Sequence, residues 1–282
     1  MAGRGSIMPN DKRAAFTEWK AGTRLFPINS QGDFNGAIRQ FKRAIKLDHR
    51  FARAYGWLAY AYVTGHIDAW KFPKSEGNLT PERRLRKARE LADQAVKLDP
   101  DDYDTLWAKA FVRLHTADPK GAEMLFNKAR TLNYGNRELL GENADERVYA
   151  SDPDKAIDLV MRARKIPDWQ RWVLAWAYYF KARKDPIFYE MALQELQQLT
   201  DQPGKGRSPA EIFMLLAAIY GQRSRLPKNP RAADDRKRAQ ECRKAFERAR
   251  KKRTLKDIAG TNPFRRSADR QHWLSGLKAA GF

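Results

Sequence analysis

The chain has 282 residues, 42% of them hydrophobic and 11% aromatic, and a formal net charge of +21. That is enough apolar material for a sizeable core, and more length than one average domain uses. Its longest apolar stretches, Trp172–Phe180 and Phe213–Tyr220, fall well short of a membrane-spanning helix, and the start "MAGRGSIMPNDKR" has no signal-peptide core.

In chain order, residues 1–13 carry no apolar period and are predicted disordered. From residue 14 onward the runs read as helix, and no segment alternates as a strand does. Within Ala15–His49, Ala37, Phe41 and Ala44 recur at i, i+4 and i+7 and predict one buried helical face. "ARAYGWLAYAY" follows, with Tyr55, Leu58, Ala59 and Tyr62 on one face. Residues 63–80 read as an insertion that ends on Thr80 as N-cap and Pro81 as the first helical residue. The next helix shows Ala88, Ala92 and Ala95. "DPDDYD" (Asp99–Asp104) imitates the start of a calcium loop but lacks its glycine and closing glutamate, so it reads as an N-cap.

Further on, Ala122, Phe126 and Ala129 form a third small-residue face, and Ala156, Val160 and Ala163 a fourth. The helix between them, "RELLGENADERVY", is unusually polar. "WVLAWAYYF" with "MALQELQQL" reads as another pair, and "AEIFMLLAAIYGQ" with "ECRKAFERARK" as the last, split by a second insertion near 222–235. Residues 257–282 form a tail whose Trp273, Leu274 and Leu277 predict a capping helix.

Ala95 to Ala129 is a step of 34 residues, and so is Ala129 to Ala163. A fixed step in this range means stacked helix pairs. Ala44 to Ala95 is 51, which places the extra residues in the insertion at 63–80. Such insertions are tolerated because added loop length costs little closure entropy. The pattern "AYGWLAYAY" followed by "LADQAVKLDP", repeated in "LWAKAFVRLHTADPKGAEMLFNKARTLN", resembles tetratricopeptide (TPR) repeats. The resemblance implies an all-α, right-handed superhelix of about five to six helix pairs over residues 14–256. The order of repeats and the ending "NPFRRSADRQHWLSGLKAAGF" are similar to the C-terminal repeat regions of some bacterial class III adenylate/guanylate cyclases. Only about a dozen residues precede the repeats, so no cyclase activity is implied.

In such an array the first helix of each pair lines the concave surface. Arg53, Tyr60, Asp104, Trp107, Phe111, Asp145 and Met214 fall at outward positions there and are the candidate partner-binding residues. Tyr60, Trp107 and Phe111 suit anchoring a peptide; the competing reading packs the same rings between adjacent repeats. The expected function is a non-enzymatic scaffold for a protein or peptide, acidic ones included, in a bacterial signalling setting.

The alternative partner is nucleic acid. Between Arg223 and Lys256 the chain has 15 Lys/Arg against 4 Asp/Glu, and such a run attracts phosphate. It holds one aromatic, Phe246, so it offers no stacking platform and reads equally as a solvated helix face. His49, His66, His115 and His272 lie far apart, "GKGRS" follows no strand, and no nucleophile–base signature appears. No cofactor or metal is expected. The lone Cys242 excludes an internal disulfide and points to a reducing, cytoplasmic location.

Small residues at helix crossings let large neighbours fill the groove. Ala129→Leu is expected to overpack one crossing and cost about 1–3 kcal/mol. An unchanged melting curve would contradict this.

Overall fold

The computed structural model describes residues 10–26, 28, 30–116, 118–133, 137–162, 166–200, 209–249, 254–261 and 264–282; for residues 137–139, 209 and 260–261 it describes the backbone only. Among these the chain forms fourteen α-helices and no strand, as the all-α reading requires. It divides into two compact units, Met1–Tyr134 and Gly135–Phe282.

The first unit holds α1 (Asn10–Thr23), α2 (Gln31–Leu47), α3 (Ala52–Ile67), α4 (Pro81–Leu98), α5 (Tyr103–His115) and α6 (Pro119–Leu132). α1 packs on α2, α3 on α4 and α5 on α6, while α3 also lies against α5. Each pair closes on its small-residue face: Ala37, Ala44, Ala88, Ala95, Ala122 and Ala129 have no exposed surface. Helix starts follow their caps. Ser30, Thr80, Asp102 and Asp118 each accept a backbone N–H three residues on, satisfying donors that the helix itself leaves open. Asp102 within "DPDDYD" is thus a cap, as its sequence suggests. α1 begins at Asn10, ahead of residue 14.

The second unit holds α7 (Arg137–Tyr149), α8 (Pro153–Met161), α9 (Asp168–Lys181), α10 (Phe188–Thr200), α11 (Pro209–Arg223), α12 (Ala232–Ala249), α13 (Leu255–Thr261) and α14 (Ser267–Ala279). α7 pairs with α8, α9 with α10 and α11 with α12. Ala156 and Val160 are fully buried; Ala163, expected to complete that face, lies outside the described residues. The second insertion is pinned where Asn229 Nδ2 donates to Arg223 O (2.7 Å) and to Asp235 (2.9 Å), and Arg223 pairs with Asp235 at 3.3 Å.

The tail packs as its apolar residues predict, with Trp273 and Leu277 fully buried. α14 lies on α11, and its side chains also reach α9, where Trp273 and Trp176 rings sit 5.8 Å apart. Phe264, just ahead of α14, packs on Trp176 (5.5 Å), Phe180 (5.1 Å) and Tyr149 of α7 (5.4 Å). Arg265 pairs with the buried Glu146 at 2.6 Å, and Asp269 binds Ser151 and Arg183. These contacts explain why so polar a helix as α7 belongs to a folded unit: its carboxylate is met by a guanidinium from the tail, as a buried charge requires.

The α11–α14 crossing depends on two glycines. A Cβ on Gly221 would lie 2.1 Å from Gly276 O, and one on Gly276 would lie 2.6 Å from Ala218 O. Backbone is in the way, so the helices would have to part. Gly221→Ala is expected to destabilise the second unit by about 1–3 kcal/mol, whereas Met124→Ala, at a position 73% exposed, stays within about 0.5 kcal/mol. Urea denaturation of both variants provides the check.

Candidate functional site

In the first unit, α3 and α5 lie side by side and bring their aromatic residues together. Tyr60 is the hub: its ring centroid is 4.4 Å from Phe111, 4.9 Å from Trp107, 5.7 Å from Trp57 and 5.2 Å from Phe26. Trp57 and Trp107 are 5.2 Å apart, and His115 continues the row 4.6 Å from Phe111. The spacing explains the row: Trp57 and Tyr60 are i, i+3 on α3, and Trp107, Phe111 and His115 are i, i+4, i+8 on α5, so each set shares one helical stripe. Tilted and edge-to-face rings at these distances are the favoured arrangements.

Tyr60, Trp57, Phe26 and His115 are half-buried; Trp107 and Phe111 are buried, each 7% exposed. The Nε1–H groups of Trp57 and Trp107 are buried and lack a hydrogen-bond partner. A buried indole N–H usually finds an acceptor.

Arg53 and Asp104 also come together, but on each other. Arg53 Nε lies 3.3 Å from Asp104 Oδ2, and its NH2 group lies 2.7 Å from Asp102 Oδ1. The guanidinium is 5.5 Å from the Tyr103 ring and 5.9 Å from Trp19. Burial pushes the Asp104 carboxyl up to about 6, against the pull of Arg53. These two positions therefore tie α3 to the start of α5.

The remaining candidates belong to the second unit, and both are buried: Asp145 is 4% exposed and Met214 8%. Asp145 sits in α7 beside Glu146, the residue that Arg265 of the tail engages. Met214 is on α11, the helix that α14 covers. The tail thus fills the face that the sequence pattern leaves open.

Another polar cluster, without a sequence signal, surrounds His272 on α14. Gln222 Nε2 faces its Nδ1 at 3.2 Å and Tyr189 Oη faces its Nε2 at 3.3 Å, while Tyr179 Oη donates to the His272 carbonyl at 3.2 Å. Burial, aided by the charge of Arg183, pushes the imidazole down to about 4; Asp269 pulls weakly the other way. A His spaced far from any other titratable motif gives no hint of this in sequence.

Of the basic run, six cations fall on α12, and residues 250–253 lie outside the described residues. On α12, Ala239 and Phe246 point inward, and Arg236, Lys237, Arg238, Lys244 and Arg248 are exposed. Cys242 is half-buried on the same helix, and burial pushes its thiol up to about 12. Among the described residues no group of three or more His, Cys, Asp or Glu could hold a metal ion, and no helix is long and apolar enough to cross a membrane.

Residues 29–64, which span α2 and most of α3, match the family described as TPR repeat. A tetratricopeptide repeat is therefore present at this point of the chain. Among solved structures, a protein described as Pseudomonas aeruginosa pilF is 15% identical, covering 85% of this chain and 93% of its own, with a TM-score of 0.51. At that identity the likeness shows the fold alone. YrrB, described as a TPR protein with an unusual peptide-binding site, is 18% identical over 74% of this chain and 95% of its own, with a TM-score of 0.43. A tetratricopeptide repeat protein from Parabacteroides merdae is 13% identical over 95% and 99%, with a TM-score of 0.42. No curated protein matches the chain.

Asp104 and His272 give opposite pH dependences. Asp104 has its folded pKa above the ordinary value of about 4, so its contribution to stability is full below that value and is lost as pH rises through about 6. His272 has its folded pKa below about 6.5, so its contribution is full above that value and is lost as pH falls toward about 4. Asp104→Asn is expected to remove the alkaline loss, on the order of 1–2 kcal/mol at pH 8, and His272→Gln to remove the acid loss. Urea midpoints from pH 4 to pH 8 test both; variants with the slope of the parent chain would refute the assignments.

Proposed function

We propose that the chain is a non-enzymatic scaffold that holds an extended segment of a protein partner across the row of rings on α3 and α5. The observation that carries this reading is the half-buried aromatic surface gathered around Tyr60. Aromatic anchors of this kind dominate interface energetics, and their amphipathic rings offer contact area at low entropic cost. The tetratricopeptide repeat at 29–64 is in keeping with a protein or peptide ligand. The acid–base pair Arg53–Asp104 sets the distance between the two helices, and is part of the frame and not of the contact. A bacterial signalling setting rests on the tail resemblance, and a cytoplasmic one on the single half-buried cysteine.

A second reading places nucleic acid on α12, favoured by its five exposed cations. Charge alone supports only non-specific, salt-sensitive binding there.

Selection of a random peptide library on the full chain separates the two. Enriched peptides are expected to carry a large aromatic or aliphatic residue and to change tryptophan fluorescence on binding. Tyr60→Ser is expected to weaken them about tenfold, while Lys244→Glu and Arg248→Glu leave them unchanged. Enrichment of no peptide, together with oligonucleotide binding that collapses with salt and is abolished by the α12 variants, would overturn the scaffold reading.

A further inference from the structure

The segment between α3 and α4 is more than a tolerated insertion, because it is pinned to the outer helices of the first unit. Gln31 at the start of α2 holds it twice: its Nε2 donates to Lys71 O at 2.7 Å, and Lys71 N–H donates to Gln31 Oε1 at 3.1 Å. Phe72 packs edge-on to Phe34 with centroids 5.1 Å apart and against Tyr62 at 5.0 Å, and the Arg84 guanidinium lies 4.8 Å from its ring. Gly65 makes room for these rings; a Cβ there would meet Phe34 at 2.4 Å and Phe72 at 2.9 Å. Glu76, its side chain 5% exposed, accepts from the Tyr62 hydroxyl and from the Lys42 ammonium. The short 3-10 turn Lys74–Glu76 is thereby held as a wall beside α2.

Two cavities flank that wall, and Lys42 and Ser75 line both. One, of about 450 Å³, presents Arg39, Lys42, Arg43 and Lys46, a single stripe of α2, opposite Pro73 and Ser75; no carboxylate lines it. The other, of about 430 Å³, is lined by Ile45, Leu58, Leu79 and Leu91 and also by Tyr55, Tyr62, the Glu76 carboxylate and Lys87. Within the cationic cavity, Arg43 pairs with Glu18 at 3.0 Å and Lys42 with Glu76, whereas Arg39 and Lys46 form no ion pair among the described residues. One chamber thus holds positive charge that the fold leaves uncompensated, and its neighbour has one aliphatic side, Ile45, Leu58, Leu79 and Leu91, beside a Glu76 already held by Lys42 and Tyr62.

We infer that the two chambers form one site for a phosphate monoester bearing a short apolar chain. The doubly charged head sits between Arg39, Lys46 and the Ser75 hydroxyl, where charge-assisted hydrogen bonds favour it. The apolar chain passes Lys42 and lies over Leu58, Leu79 and Leu91, where it leaves water. This site uses α2, α4 and the 68–80 segment, and is independent of the ring row on α3 and α5.

Calorimetric titration of the full chain at one fixed low salt concentration, with hexyl phosphate, inorganic phosphate and hexyl glucoside, tests it. Hexyl phosphate is expected to bind at least about tenfold more tightly than either of the others. Arg39→Ala with Lys46→Ala should weaken hexyl phosphate about tenfold, while Arg50→Ala with Lys97→Ala, exposed cations elsewhere in the unit, should not. Leu79→Asn should erase the advantage of hexyl phosphate over inorganic phosphate and leave inorganic phosphate unchanged. All the altered cations are exposed, so melting curves should match the parent chain. Equal binding of hexyl phosphate and inorganic phosphate, or no effect of the Arg39/Lys46 pair beyond that of the control pair, would overturn the assignment.

Discussion

Everything in this chain depends on how closely one helix can approach the next. In the three helix pairs of the first unit the small side carries six alanines with no exposed surface, two on each second helix, which lets the partner helix come close. Dispersion and apolar burial both fall off within a fraction of an ångström of separation, so side-chain bulk at these points decides whether consecutive hairpins share a core or stand apart. The glycines at the α11–α14 crossing carry the same logic to its limit, where even a methyl group meets a carbonyl oxygen. Because each pair touches only its neighbours, the stability of such an array is built from local interfaces, and a single enlarged residue acts on one of them.

The inner helices of the two units have different fates. In the first unit α3 and α5 leave Trp57 and Tyr60 half-buried over the buried Trp107 and Phe111. In the second unit the corresponding helices are already occupied: Phe264, Arg265, Asp269, His272 and Trp273 of the tail take up the rings, the carboxylate and the polar groups of α7, α9 and α11. The tail behaves toward its own unit as a ligand would, with an aromatic anchor, a guanidinium on a buried carboxylate and a close backbone approach. That difference is why Asp145 and Met214 are enclosed while Tyr60 is not.

Much of this is legible in the sequence, and the gaps have physical causes. The alanine period marks helix pairing directly, since only small residues satisfy a crossing and they must recur with the repeat. Trp273 and Leu277 are legible as buried because they are large, apolar and correctly spaced. The surface they cover is not legible, since it depends on Gly221 and Gly276 meeting across 55 residues of chain. Tyr60, Trp107 and Phe111 stand out as a group, and Trp57 shares the stripe of Tyr60 on α3, yet Phe26 joins it only through tertiary placement. Arg53 and Asp104 look like two exposed charges until α5 lies beside α3; the pair is then 3.3 Å apart. Pattern reports which face of a helix is apolar and says little of which charges will meet.

Charge placement completes the argument. The formula carries 55 basic residues against 34 acidic ones, but the acids do not all lie at the surface. Asp102, Glu146, Asp235 and Asp269 are each nearly enclosed and matched to an arginine, and Glu76 is met by Lys42. A buried carboxylate without such a partner would be costly, so the fold draws its acids inward wherever a guanidinium can follow. Each such pair is neutral, so the net charge of +21 rests on the cations left over, those on α12 and along the outer stripe of α2 among them. A surface of that kind attracts anions at long range, and a positive field becomes selective only where the backbone builds walls around it. Of the two cationic stretches, α12 displays its charges on an open helix face, whereas α2 has the pinned 68–80 segment standing opposite; enclosure, and not the number of charges, is what separates a solvated face from a site.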